Sequence, residues 1–145
     1  MGIADEFYTL KGYQMKEAIE LTTAMEDYLE MASRILEKNE TVRVSDLSKM
    51  LNVKPPSATK MMQQLKDLGY VNSEKYGQIS LTAHGRAEGA YLLYRHDVLH
   101  KFLCMINHSE NELEQVEKIE HFLNRETIEN LNRLIQWLQG ELSKH

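Results

Sequence analysis

One cysteine, Cys104, is all that 145 residues contain, so no intrachain disulfide can form and a reducing compartment is the natural expectation. No stretch of about 18 apolar residues occurs. The N-terminus carries Asp5, Glu6, Lys11 and Lys16 instead of a basic start followed by an apolar core. The sequence therefore predicts neither membrane insertion nor export and points to the cytoplasm. Internal repeats and low-complexity segments are also missing. Nor is positive charge in excess: a net charge of −5 argues against a protein that coats nucleic acid along its whole surface. With 42% hydrophobic residues, the length allows one compact domain or two small helical units around a shared core.

The average charge hides a local asymmetry. From Thr41 to Tyr76 there are six basic residues (Arg43, Lys49, Lys54, Lys60, Lys66, Lys75) against three acidic ones (Asp46, Asp67, Glu74), a balance of +3. The remainder, 11 basic against 19 acidic, carries −8. Such a split suits a small DNA-facing module joined to an acidic regulatory part, although a solvated basic face is the commoner meaning of a few lysines.

Leu21, Met25, Tyr28, Ala32 and Ile35 recur at helical spacing and predict a first helix over about Thr22 to Lys38. Ser45 has the chemistry of an N-cap for a short helix carrying Leu47, Met50 and Leu51, and Asn52 to Lys54 make a turn. Pro55 and Pro56 suit only the first turn of the next helix, whose stripe is Ala58, Met61, Met62, Leu65 and Leu68, ending at Gly69. The period then becomes alternating. Tyr70 and Val71, then Ile79 and Leu81, flank the turn Tyr76-Gly77-Gln78 and predict a two-stranded wing. Thr82 caps a long helix through Leu92, Leu99, Leu103 and Ile106, a loop runs around Asn107 to Asn111, and two helices follow over Glu112 to Asn124 and Glu126 to Ser143.

Helix, short turn, helix and wing make a winged helix-turn-helix, whose second helix enters the major groove. Ser57, Thr59, Lys60, Gln63 and Gln64 lie on or beside the face opposite the Met61, Leu65 and Leu68 packing side, within reach of bases or phosphates. Lys75 and Tyr76 at the wing tip are candidates for backbone contact. Ordinary polar surface is the plain alternative, and the wing pattern tilts the reading toward DNA.

Six further side chains are rich in metal-ligand chemistry. On the Glu112 helix the apolar stripe is Leu113, Val116, Ile119 and Leu123, and Glu120 falls within that arc on a wheel of about 100° per residue. A buried carboxylate must meet a cation, gain hydrogen bonds or hold a proton. Glu117 and His121 flank it within roughly a 100° arc. His96 sits between Leu92, Leu99 and Leu103 on the long helix. A hydrogen-bonded core histidine is the plain alternative for His96, and a charged flank pairing with lysines is that for Glu117, Glu120 and His121. Asp27 and Glu30 lie away from the first helix's stripe, so their spacing supports only a solvated acidic face.

The motifs Met25-Glu26-Asp27-Tyr28-Leu29-Glu30, Val44-Ser45-Asp46-Leu47, Pro56-Ser57-Ala58-Thr59-Lys60-Met61, Leu81-Thr82, Tyr94-Arg95-His96 and Val116-Glu117-Lys118-Ile119-Glu120-His121 together resemble the diphtheria toxin repressor family, more narrowly its manganese transport regulator branch. The resemblance covers most of the chain after Leu21. It implies a mostly α-helical homodimeric repressor: an N-terminal extension over 1–20, a winged helix-turn-helix over 21–82 and a helical metal-binding and dimerisation domain over 83–145. It also implies Asp27, Glu30, His96, Glu117, Glu120 and His121 as metal ligands and double-stranded DNA with a palindromic operator as partner. Iron-responsive members carry a cysteine where Glu117 stands and a methionine where Glu30 stands. Carboxylates at both positions favour Mn²⁺, and four of them with two histidines accommodate a two-ion cluster. Fe²⁺, Zn²⁺ or Co²⁺ should also bind.

The resemblance leaves three departures: about 20 residues before Leu21 beyond the family's usual start, no expected counterpart of the C-terminal domain of the iron-dependent relatives, and Phe122 in place of a polar neighbour of His121. Ile128, Leu131, Leu134, Ile135, Leu138 and Leu142 form the stripe assigned to dimerisation, with packing inside one subunit as the alternative.

The expected function is a Mn²⁺-responsive transcriptional repressor of manganese uptake genes. Alternatives are an iron- or zinc-responsive regulator of the same family, a metal-independent winged-helix regulator with acidic salt bridges, and a metalloenzyme. The last rests on His96-Asp97-Val98-Leu99-His100, which mimics the two-histidine helix of zinc proteases. Asp97 is shorter than the required glutamate, His100 points about 100° from His96's arc, and no Glu-x-x-His pair occurs, so no enzyme is expected.

Overall fold

The Thr22 hydroxyl accepts the Met25 N–H at 3.2 Å and caps helix α1, Thr23–Leu36. In the computed structural model, which describes Thr9 and residues 21–143, the elements then run in a regular order. They are strand β1 (Val42–Arg43), helices α2 (Val44–Met50) and α3 (Pro55–Asp67), strands β2 (Val71–Ser73) and β3 (Gln78–Leu81), and helices α4 (Ala83–Asn107), α5 (Leu113–Ile119) and α6 (Arg125–Ser143). The N-terminal extension, Thr9 apart, lies outside the described residues.

The wing has one strand more than expected. The sheet order is β1-β3-β2, with Val42 opposite Ile79 and Val71 opposite Leu81, both antiparallel. Two residues are too few to leave a readable alternation, which is why β1 escapes a sequence reading. Ser45 is also not the cap of α2: Arg43 occupies that position without a side-chain bond, and Ser45 lies in the first turn, its carbonyl accepting the Ser48 hydroxyl at 3.0 Å. Direct passage from β1 into α2 leaves no room for a capping loop. At the wing tip, Lys75–Gly77 form a 3₁₀ turn between Glu74, whose N–H donates to the Gln78 carbonyl at 2.7 Å, and β3, and within it Tyr76 (φ 61°) and Gly77 (φ 68°) take successive left-handed conformations.

Pro55 and Pro56 open α3 as its first two residues, and the helix packs inward through Ala58, Met62 and Leu65. Thr82 caps α4, accepting the Gly85 N–H at 2.9 Å while donating to the Gly69 carbonyl at 2.6 Å. A single hydroxyl thus joins the turn after α3 to the start of α4.

Two apolar cores result. The first unites Leu29, Leu47, Leu65, Val71, Ile79 and Leu92 from the N-terminal elements and the front of α4. The second unites Val98, Leu99, Leu103, Val116, Ile128 and Ile135 from the rear of α4 with α5 and α6. Each fully buried leucine contributes about 1.5–3 kcal/mol relative to exposure. Arg95 and His96, both buried, lie on α4 between Leu92 of one core and Val98 of the other.

Helix α4 meets α1 at very close range, since a Cβ on Gly89 would stand 2.9 Å from the Ser33 Cβ. This approach turns the polar side of α1 toward α4. The predicted helix over Glu112 to Asn124 is shorter than expected: α5 stops at Ile119, a 3₁₀ turn covers Glu120–Phe122, and Leu123 is extended. The dimerisation stripe also divides. Ile128 and Ile135 are buried within the chain and Leu131 packs against the same core, whereas Leu134 and its neighbour Trp137 face outward. Leu138 is half-buried, and the Leu142 side chain lies outside the described residues.

Candidate metal centre and DNA-reading surface

Three stretches converge between the two cores: the polar side of α1, the middle of α4, and the junction of α5 with its 3₁₀ turn. His96 Nδ1 lies 3.3 Å from Glu120 Oε2, 3.5 Å from Glu30 Oε1 and 3.8 Å from Glu117 Oε1. His121 Nε2 lies 3.0 Å from Asp27 Oδ1 and 3.7 Å from Glu120 Oε1. Two ligand groups result, Glu30-His96-Glu117-Glu120 and Asp27-Glu120-His121, each with its donor atoms within 4.8 Å of one another. All six side chains expected at the metal therefore meet, and Glu120 belongs to both groups.

Pattern reading fails for Asp27 and Glu30. Glu30 is buried, not on a solvated face, because the close α1–α4 approach at Gly89 encloses that side of the helix. Asp27 stays half-buried at the rim. The wheel for Glu117, Glu120 and His121 assumed a continuous α-helix. The chain changes to 3₁₀ winding at Glu120, with three residues per turn instead of 3.6, and Glu117 falls in the His96 group while His121 falls in the Asp27 group.

The electrostatics are those of crowded acids. Burial, reinforced by the neighbouring Glu120, pushes the Glu30 carboxyl up to about 7. Burial acts on Glu120 in the same sense, but the hydrogen bond with His96 and the Arg95 charge outweigh it and hold Glu120 below its ordinary value. Burial and the charges of Glu120 and Asp27 raise Glu117. A hydrogen bond to Glu120 raises His96 against the opposing effect of burial. His121 is raised to about 10: burial favours its neutral form, but hydrogen bonds to Asp27 and Glu26 prevail.

The donor set fits a divalent cation. Glu120 is fully buried, and among the described residues its Oε1 has no hydrogen-bond partner. An unmet buried acceptor costs about 1–3 kcal/mol, more when charged. Four carboxylates and two imidazoles without sulfur suit a hard or intermediate ion such as Mn²⁺.

Two further residues escaped the sequence reading. Glu26 Oε1 lies 2.8 Å from His121 Nδ1, and Arg95 donates to Glu26 Oε2 at 3.2 Å. Arg95 was detectable, since it stands three residues after Leu92 and four before Leu99, inside the apolar arc of α4. Glu26 carries no comparable signal. His100, by contrast, does not join His96: its Nε2 accepts the backbone N–H of Glu112 at 3.2 Å, tying α4 to the start of α5. Phe122 is about half exposed and points away from a buried role.

On the opposite end, Ser57, Thr59, Lys60 and Gln63 are exposed along α3, and Lys75 and Tyr76 are exposed at the wing tip. Gln64 is half-buried, and Gln63 donates to Asp67 Oδ1 at 2.9 Å. Among the described residues, no helix is long and apolar enough to cross a membrane.

Residues 20–79 match the family model for the iron dependent repressor N-terminal DNA binding domain, and residues 82–140 match that for its metal binding and dimerisation domain. The HTH-type transcriptional regulator MntR of Geobacillus kaustophilus is 41% identical over 121 residues, covering 83% of this chain and 86% of the relative. That of Bacillus velezensis is 38% identical over 124 residues, covering 85% and 87%. Among solved structures, ScaR with bound Zn²⁺ aligns with a TM-score of 0.67 at 25% identity, over 78% of this chain and 54% of that one. A manganese-dependent transcriptional repressor in complex with manganese shares the fold, with a TM-score of 0.71 at 21% identity, over 77% and 52%. The chain thus spans about half the length of these two structures. The DNA-reading helix and wing, the buried carboxylate–histidine cluster and both family matches agree. The chain belongs to the diphtheria toxin repressor family of metal-dependent transcriptional regulators, in its manganese-regulator branch, and is not an enzyme.

Proposed function

We propose that this protein represses manganese uptake genes in the cytoplasm by binding a palindromic operator as a Mn²⁺-loaded homodimer. The observation that carries the site is Glu120, buried between two ligand groups with one oxygen facing each. In this reading Glu30, His96, Glu117 and Glu120 would hold one ion and Asp27, Glu120 and His121 would hold a second, with Glu120 common to both groups. Each ion supplies positive charge that cancels carboxylate repulsion; no reaction is involved. Fe²⁺, Zn²⁺ and Co²⁺ would occupy the same donors, and the absence of sulfur weights the physiological choice toward Mn²⁺.

The chain's own residues convert occupancy into DNA affinity. Asp27 and Glu30 belong to α1, which packs in the core of the reading unit, residues 21–82; the other four belong to the metal-binding and dimerisation unit, residues 83–145. Neutralised carboxylates let α1 close against α4 and α5, fixing how the reading head stands on the dimer. Without neutralisation they repel, the joint loosens, and the spacing between half-sites is lost. Metal and DNA affinities are then reciprocally coupled. Outward-facing Leu134 and Trp137 contribute to the dimer contact. Ser57, Thr59, Lys60, Gln63 and Gln64 meet the major groove, and Lys75 and Tyr76 the flanking backbone.

The test is operator binding across Mn²⁺, Fe²⁺ and Zn²⁺ for the wild type and Glu117→Cys. Tightening by Mn²⁺ in the wild type, and a shift toward Fe²⁺ or Zn²⁺ in the variant, is expected. Affinity indifferent to every metal overturns the switch, and a wild type answering Fe²⁺ or Zn²⁺ but not Mn²⁺ moves the assignment to an iron- or zinc-responsive regulator.

A further inference from the structure

We infer that Glu26 and Arg95 are positioning residues that prepare chiefly one ion position, the one served by His121. The inference rests on the six-ligand reading above and concerns two side chains outside that set.

The geometry is directional. His121 has one ring nitrogen on each side of the site: Nε2 faces Asp27 Oδ1 at 3.0 Å and Glu120 Oε1 at 3.7 Å, while Nδ1 faces Glu26 Oε1 at 2.8 Å. A carboxylate can only accept there, so Nδ1 carries the hydrogen and Nε2 is the nitrogen presented to a cation. This is the arrangement in which an outer carboxylate fixes both the tautomer and the ring orientation of a metal-binding histidine.

Glu26 is itself held. Its second oxygen accepts from Arg95 Nη1 at 3.2 Å, and Arg95 is buried on α4 between the two cores. Arg95 Nη2 also lies 3.3 Å from His121 Nδ1; with the hydrogen on Nδ1, both are donors, so this approach is not a hydrogen bond, and Glu26 accepts from Arg95 through Nη1 and from His121 through Nδ1. The carboxylate thus joins α1, α4 and the 3₁₀ turn after α5 at one point.

The other position is supported differently, Arg34 Nη2 donating to Glu30 Oε1 at 3.3 Å. His96 turns Nδ1 toward Glu30, Glu117 and Glu120, and neither Glu26 nor Arg95 contacts any of these four in a hydrogen bond or ion pair. Disturbing Glu26 or Arg95 should therefore act unequally on the two ions.

The experiment is Mn²⁺ titration of the full-length protein by calorimetry, with electron paramagnetic resonance to detect coupling between neighbouring ions. Wild type, Glu26→Ala, Glu26→Gln and Arg95→Met are compared, with thermal unfolding of each metal-free variant as a check on folding. Glu26→Ala is expected to weaken one of two binding steps by about 10- to 100-fold, to leave the other within about twofold, and to remove the spin-coupled signal. Glu26→Gln, which still offers an accepting oxygen to Nδ1–H, should recover part of the loss, and Arg95→Met should weaken the same step. Two steps in the wild type that both survive Glu26→Ala unchanged, or that weaken equally in it and in the folded Gln variant, overturn this inference alone. A wild type that binds one ion or none overturns the two-ion reading and this inference with it.

Discussion

His96 and Glu120, twenty-four residues apart, meet at 3.3 Å between the imidazole Nδ1 and carboxylate Oε2, and this contact ties α4 to the end of α5 where the two cores adjoin. Glu120→Gln keeps the shape and an accepting oxygen but removes the charge shared by both ligand groups. Mn²⁺ affinity should fall by more than the roughly 10- to 100-fold loss typical of an outer hydrogen-bond partner. The metal-free melting temperature should fall only modestly: His96 and Arg95 favour the Glu120 charge, and its loss is partly offset by relief of the repulsion with Glu30. Calorimetry and thermal unfolding check the two halves; a collapse of metal-free stability would contradict the assignment of Glu120 to ligation.

Mn²⁺ binding should release protons. Glu30, raised to about 7, and His121, raised to about 10, hold protons in the metal-free protein that ligation must displace. Both shifts are upward, so the protonated, non-ligating form dominates below those values and affinity must increase as pH rises. At pH 7 His121 gives up a whole proton and Glu30 a part. Titrations in buffers of different ionisation enthalpy should reveal more than one proton released, and affinity should be higher at pH 8 than at pH 6. Binding indifferent to pH over that range contradicts the protonated starting state.

Gly89→Ala should separate α1 from α4. The new Cβ would stand 2.9 Å from the Ser33 Cβ, which no rotamer change moves aside. Overpacking of this kind costs about 1–3 kcal/mol, visible as a lower denaturation midpoint. Because Glu30 and Asp27 ride on α1, Mn²⁺ affinity should fall in parallel, and a variant with wild-type metal affinity would show that the helix spacing is not what aligns them.

Lys60, exposed on α3, should contact phosphate. Lys60→Ala is expected to weaken operator and unrelated DNA alike and to lower the slope of log affinity against log salt by about one, whereas Thr59→Ala should change the preference among operator variants. Band-shift assays at several salt concentrations separate the two effects.

How legible the sequence was depends on whether a signal was local. The helices came out because each carries an apolar stripe at helical spacing, and Thr82 marked the start of the longest by side-chain chemistry. Glu120 and His96 stood out because a polar group on an apolar arc violates the pattern around it. Asp27 and Glu30 could not, since their burial comes from the approach of α4 far along the chain, and only the family resemblance recruited them. The two residues of β1 acquire their identity from pairing with β3 and leave no period of their own. The break after Ile119 was equally hidden, because an apolar stripe does not distinguish α from 3₁₀ winding over a single turn.

Strand β1 passes into α2 with no intervening residue while pairing with β3 of the wing. The hairpin and the helix pair therefore move as one stiff jaw instead of two independently adjustable fingers. A promoter whose groove width or local curvature departs from the distance between α3 and the wing tip is then expected to bend to fit, since this pairing braces the wing against the helices. Selection among operators thus extends to bases that no side chain touches, through the cost of deforming the duplex.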